Sequence, residues 1–383
     1  MTDIALNKLI DRVRAARAAK TALNITGGST KAFYGEAPRG EPLDVRPLAG
    51  ISSYEPSELV VTVRAGTPLA ELEAALAEKG QCLPFEPPRF AAAPNAGFGG
   101  GTVGGMVAAG LAGPARAAVG GVRDYLLGAT LLNGKAEVLS FGGQVMKNVA
   151  GYDVSRLLAG SMGLLGVICE VSLKVLPLPV ATATLRFELG EAAAIKQLNT
   201  WGGQPLPVNA SAWWDGALVL RLSGAAAAVQ SAVHKLGGEV VDPAQAAAFW
   251  TGLRDQTDEF FVGAERAVAA GATLWRLSVA STAPPLALSG EQMVEWGGAQ
   301  RWVVTTAPAA TLREAAAGAG GHATAFRGVK ASGAQSGGTQ ASGAQASSVL
   351  APLSAPLARI HREMKTAFDP DRIFNPGRLY PGL

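Results

Sequence analysis

Three clusters of glycine constrain this chain more than any other feature. They are Gly27-Gly28-Ser29-Thr30, Gly99-Gly100-Gly101-Thr102-Val103-Gly104-Gly105 and Gly160-Ser161-Met162-Gly163-Leu164-Leu165-Gly166. Where side chains are missing, main-chain N–H groups can approach an anionic guest such as a diphosphate. Residues 22–28 read as a short strand running straight into the first cluster. The third cluster feeds a strand at 167–176, in which Val167, Cys169, Val171, Leu173 and Val175 alternate with Glu170, Ser172 and Lys174. Taken alone, that third cluster also reads as a tight turn entering a core strand.

The second cluster contains a formal G-x-G-x-x-G from Gly99 to Gly104, with Asp124 at the spacing of a ribose-binding acid. That fingerprint needs a strand immediately before it. Residues 90–96 (Phe-Ala-Ala-Ala-Pro-Asn-Ala) make a poor one, with a proline inside, so the Rossmann reading is rejected. No Walker A lysine pattern occurs. The stretch between Arg89 and Arg116 has no charge and is long enough to span a bilayer. Pro94 and the glycines from 97 to 113 argue against a stable spanning helix.

At 383 residues the chain is long enough for two or three domains. Charged residues are only 16% and glycines number 48, so glycine is in surplus at the expense of charge, and most of the chain is too apolar for disorder. A net charge of +3 without a basic, aromatic-interleaved run gives no footprint for nucleic acid. Cys82 and Cys169 are too few to hold an iron–sulfur cluster. His234, His322 and His361 lack metal-ligand spacing, so no metal site is expected. Residues 1–20 read as an amphipathic helix and not as a secretory signal, which predicts a cytoplasmic protein.

The first 180 residues read as α+β. Residues 59–65 form a β-branched strand leading into a helix with Leu69, Leu72 and Leu76 on one face. Residues 125–132 and 136–141 form a hairpin about Asn133-Gly134. A break at Pro177 and Pro179 marks a domain boundary. Residues 182–241 then follow the order β-α-β-β-α-β of a ferredoxin-like split unit, with Trp213 and Trp214 facing opposite ways on a strand. Residues 243–261 read as one helix, 273–280 and 301–306 as strands, and 310–316 as a helix. Residues 328–348 are low-complexity, with Ala-Ser-Gly-Ala-Gln at 331–335 and again at 341–345. Residues 356–367 resume as a helix before an irregular tail. The expected domains are thus 1–180, a cap at 181–327, a loop at 328–348, and a C-terminal helix and tail at 349–383 that returns to the first.

With these motifs in register, the chain resembles flavoproteins of the vanillyl-alcohol oxidase and para-cresol methylhydroxylase (PCMH) type, and among them the FAD-binding subunits of bacterial glycolate oxidases. The likeness covers most of residues 22–180 and returns at 361–380. Lys147-Asn148-Val149-Ala150-Gly151-Tyr152-Asp153 and Ile373-Phe374-Asn375-Pro376-Gly377-Arg378-Leu379-Tyr380 carry its narrower part. It implies an α+β fold: a two-subdomain PCMH-type FAD-binding domain plus a ferredoxin-like α+β cap. It also implies FAD contacts from Gly27, Gly28, Ser29, Thr30 and Lys31, from Thr102, Gly104, Gly105 and Ala109, and from Gly166, Val167 and Ile168. Asn375 is placed near the isoalloxazine.

Because no histidine precedes His234, tethering of FAD to either of the first two glycine loops by that route is impossible, and FAD should be noncovalent. The resemblance implies oxidation of glycolate to glyoxylate within a complex, with electrons passing to iron–sulfur centres on one partner and a larger flavin subunit as another. Peripheral attachment at the inner face of the membrane would come through those partners. Arg276 and Asn375 are the candidate catalytic side chains, Arg276 because its planar fork suits the carboxylate of a small 2-hydroxy acid. Two alternatives stay open: a self-sufficient 2-hydroxy-acid dehydrogenase of the D-lactate type, and a flavin-free scaffold subunit.

Overall fold

Asp3 starts the first helix, Ile4–Ala19, by accepting the Leu6 N–H at 3.0 Å. Leu9, Val13 and Ala16 recur at helical spacing and bury one stripe of it, and Lys20 closes it in the left-handed region. The computed structural model describes residues 3–91, 100–143, 153–328 and 348–383. Gly99, most of the Lys147-to-Asp153 motif and the Ala-Ser-Gly-Ala-Gln repeats lie outside the described residues. The chain divides into two units. One comprises Met1–Gly113, Val119–Leu178 and Leu353–Leu383, and the other Pro114–Ala118 and Pro179–Pro352.

In the first unit β1 (Leu23–Thr26) and β2 (Glu41–Asp44) pair in parallel. An antiparallel sheet of β3 (Ile51–Glu55), β4 (Val60–Arg64), β6 (Leu126–Leu132), β7 (Val138–Gly142) and β8 (Val167–Lys174) runs in the order β3-β4-β8-β6-β7. A short ladder joins β5 (Gln81–Cys82) to β9 (Leu176–Pro177).

The strand at the centre departs from the simple alternation expected of it. Its register against β6 shifts between Thr130 and Leu131, so Leu131 faces Ile168 while Thr130 faces Glu170. The bulge re-aims the side chains on either side of it. Val167 and Cys169 join the core under the first helix, whereas Ile168, Val171 and Leu173 join the core built on Leu69, Leu72 and Leu76. Ser172, expected to face water, is buried and shares a hydrogen bond of 2.8 Å with Thr62.

The hairpin of β6 and β7 forms, but not about a two-residue Asn-Gly turn. Its loop spans 133–137: Asn133 Oδ1 accepts the N–H groups of Lys135 (2.9 Å) and Glu137 (3.0 Å), and the positive φ falls on Ala136. Gly134 is needed for another reason, since a Cβ there would lie 2.7 Å from the Asp369 main chain.

The second unit holds one sheet in the order β13-β10-β12-β11-β15-β16-β14-β17. The strands β10 (Ala181–Glu188), β11 (Val208–Trp214), β12 (Ala217–Gly224) and β13 (Glu239–Val240), with helices Glu191–Gly202 and Ala226–Leu236, are the expected split unit. Trp213 donates to Leu189 O and Trp214 to Glu291, on opposite faces. Strands β14 (Thr273–Ser278), β15 (Glu291–Glu295), β16 (Gln300–Thr305) and β17 (His322–Arg327) repeat the same spatial order in mirror sequence, and the halves join where β11 pairs β15. Of this second half, β14, β16 and the helix Ala309–Gly318 stand where the sequence predicts them, whereas β15 and β17 are not predicted. Coil 279–290 replaces the helix that would follow β14, and Glu291 and Glu295 give β15 no apolar alternation. The single helix expected at 243–261 is two, Pro243–Asp255 and Glu259–Ala269. Gln256 turns left-handed and Asp258 caps the second.

Candidate functional site

A cleft in the first unit gathers most of the expected residues. Its floor starts where β1 stops at Thr26 and the chain turns through Gly27, Gly28, Ser29, Thr30 and Lys31. Thr102, Gly104, Gly105, Ala109, Gly166 and Ile168 line it as well, and so does Asn375. The open space is about 910 Å³, with the open solvent at its mouth included.

The glycines act in two ways. Gly28 lets two loops stack, because a Cβ there would lie 1.8 Å from the Gly100 carbonyl oxygen. A Cβ on Gly104 would lie 2.7 Å from that of Ala65. At both positions the missing side chain lets the walls meet. Three amides of the second cluster are committed within the chain. Val103 N–H donates to Thr67 O (3.0 Å), Gly104 N–H to Ala65 O (2.7 Å) and Gly105 N–H to Thr102 Oγ1 (3.2 Å). By contrast, among the described residues the N–H groups of Gly27, Gly28, Ser29 and Thr30 find no acceptor.

The charges point the same way. Lys31 is buried, its Nζ 3.4 Å from Thr30 Oγ1 and over the Phe90 ring. Arg378 is also buried, and among the described residues no carboxylate lines the cleft. Main-chain donors with two buried cations beside them fit a doubly charged diphosphate.

The C-terminal tail closes the cleft. Phe374 bridges β1 at Leu23, Leu23 N–H donates to Ile373 O (2.6 Å) and Asn375 N–H to Leu23 O (2.8 Å). Asn375 Oδ1 accepts the Ile25 N–H at 2.8 Å and its Nδ2 donates to Met162 O at 2.6 Å. Arg378 donates to the carbonyls of Ala32 (2.8 Å), Lys31 (3.4 Å) and Glu36, tying down the turn after the first glycine pair. Burial lowers its pKa.

Beneath this, the Lys365 ammonium is wholly enclosed. It donates to Asp369 Oδ2 (2.8 Å), Leu164 O (2.8 Å) and Phe374 O (2.7 Å), while Asp369 accepts the N–H groups of Ile373 and Phe374. Burial pulls the Lys365 pKa down and Asp369 opposes it.

Two expected residues stand elsewhere. Val167 points into the core beside Leu132 and does not line the cleft. Arg276 lies in the second unit, where its Nε donates to Gln300 Oε1 at 2.7 Å and its guanidinium stacks on Trp296. His361 packs edge-on against Tyr380. The sequence reading assigned no site role to Lys365, Asp369 or Arg378, or to Met162 and Gly163 of the third cluster. A lysine within an exposed amphipathic helix gives no local sign of burial, although Lys365 and Asp369 do stand at i,i+4. Among the described residues no group of His, Cys, Asp or Glu could hold a metal ion.

Residues 6–142 match the model of the FAD binding domain. The chain is 45% identical over 375 residues to the glycolate oxidase subunit GlcE of Escherichia coli (strain K12), covering 98% of this chain and 97% of that protein. It is 31% identical over 147 residues to a D-lactate dehydrogenase of Anaerostipes hadrus, or 38% of this chain and 29% of that one. It is 30% identical over 135 residues to the glycolate oxidase subunit GlcD of Bacillus subtilis (strain 168), or 35% and 27%. Among solved structures, alkyldihydroxyacetonephosphate synthase superposes with a TM-score of 0.62 over 97% of this chain and 74% of that one, at 14% identity, a likeness of fold alone.

Proposed function

The chain belongs to the family of the glycolate oxidase subunit GlcE, and from that premise we propose that it binds FAD noncovalently in the cleft, as one subunit of a glycolate-oxidising complex. The observation that carries the reading is the run of N–H groups from Gly27 to Thr30 that find no acceptor among the described residues, beside Lys31 and Arg378, in a cleft with no described carboxylate. Those amides and Thr30 would hold the diphosphate. Gly166, Ile168 and Ala109 would supply the apolar wall, and the tail would hold the cleft shut from behind.

Bound there, the flavin would supply the hydride-accepting chemistry that oxidation of a 2-hydroxy acid needs. This chain's part is to fix that group in place and shield it from water.

Onward electron transfer would need partners. Burial pushes the Cys169 thiol up to about 12 and raises that of Cys82, so neither is a ready thiolate, and two cysteines are too few for a cluster. An iron–sulfur subunit and a larger flavin subunit are the partners this reading requires. No helix among the described residues is long and apolar enough to cross a membrane, which agrees with cytoplasmic placement or attachment at the inner face through those partners. Arg276 remains a candidate for a substrate carboxylate.

The test is the purified full-length chain: it should carry a visible flavin band that acid precipitation releases intact into the supernatant. A colourless chain that takes up no added FAD would overturn the reading. Anaerobic glycolate or D-lactate should leave that band unbleached until partner subunits are added. Rapid bleaching of the chain alone would favour the self-sufficient dehydrogenase.

A further inference from the structure

Asn375 occupies a conformation that few residue types hold. Its φ is +42°, in the left-handed region that Asn, Asp and Gly tolerate best. Its side chain is buried and each end already holds a main-chain partner: the carbonyl takes the Ile25 N–H, and the amide nitrogen gives to Met162 O. Ile25 belongs to β1 and Met162 to the turn that Met162 N–H and Gly160 N–H anchor on the helix Val103–Ala109, through Ala108 O (2.9 Å) and Val107 O (3.0 Å). Both Ile25 and Met162 line the cleft.

One carboxamide therefore bridges two walls that are far apart in sequence. Asp would keep the backbone and the acceptor but could not donate to Met162 O; Gly would keep only the backbone. Gly163 makes the arrangement possible, since its φ is +75° and a Cβ there would lie 2.5 Å from Asn375 Nδ2.

We propose that Asn375 is a positioning residue that sets the spacing between β1 and the Met162–Gly163 turn, and thereby how tightly the cleft holds FAD. The proposal rests on the reading of the cleft as the flavin site. It differs from a contact role for Asn375, because it assigns the effect to a clasp that Gly163 shares.

The experiment is FAD titration of the full chain after flavin removal, followed by fluorescence quenching, for the parent, Asn375→Asp, Asn375→Gly, Gly163→Ala and the Gly163→Ala/Asn375→Gly double variant. Each single variant should weaken FAD binding by about tenfold or more. The double should fall short of the summed losses, because removing the Asn375 side chain relieves the clash with its Nδ2 and leaves only the strain of Ala at φ +75°. The flavin reduction potential should shift in the same variants, a readout that a purely structural role would not move. Single variants within about twofold of the parent, or losses that add in the double, would overturn the proposal. Should Asn375→Gly fail to fold, Gly163→Ala and Asn375→Asp decide by the same criterion. A parent chain that takes up no FAD sinks the cleft reading itself, whereas a flavin-binding parent with indifferent variants sinks only the clasp.

Discussion

Glu295 is enclosed in the second unit, where burial pushes its carboxyl up to about 7 against hydrogen bonds from Trp302 Nε1 (2.5 Å) and Gln300 Nε2 (2.8 Å) and the nearby Arg276. The folded pKa lies above the unfolded reference of 4.5. Below that reference the proton is bound in both states and the group costs nothing. As pH rises towards 7 the unfolded chain releases its proton first and stability falls, by on the order of 3 kcal/mol once the rise is complete. Glu295→Gln keeps an oxygen for both donors, so urea midpoints at pH 5 and pH 8 should differ less in that variant than in the parent.

At the same scale, Gly28→Ala sets a Cβ against the Gly100 carbonyl, a main-chain atom that cannot swing aside. The purified variant should lose its flavin band. Gly104→Val should do the same through Ala65, by displacing the wall and not by filling the cleft. The glycine pairs themselves were plain in the sequence. What they touch was not, because the contacts come from segments some forty to seventy positions away.

Among the elements, the helix Ala355–Phe368 shows how a local pattern misleads. Its sequence is strongly amphipathic, yet Leu357 and Ile360 are exposed and its buried residue is Lys365. Lys365 is neutralised by Asp369 one turn on, and its other donors reach Leu164 and Phe374. Lys365→Met strands a buried carboxylate and should cost about 3–5 kcal/mol, read as a lower urea midpoint of the full chain. The β8 strand gives the complementary case. Its existence and limits were legible from valine alternation, whereas the bulge that divides its odd positions between two cores depends on the partner β6 and left no mark in its own residues.

For the whole molecule, the prediction is about company. Chains that travel with this one through gentle purification should include a protein bearing iron–sulfur centres and a further flavoprotein; a chain that purifies alone under those conditions counts against the complex. The sequence by itself determined the α+β class, the split unit of β10 to β13 and the strand β1 that runs into the turn at Gly27. All of these are written in local spacing and turn chemistry, which act between near neighbours. The tertiary structure decided the rest: the completion of the second half-sheet by β15 and β17, the commitment of the Val103, Gly104 and Gly105 amides, the withdrawal of Val167 into the core, and the clasp of Asn375 on Ile25 and Met162. The clasp joins pairs 213 and 350 positions apart, and no local pattern reports a partner that only folding brings into reach.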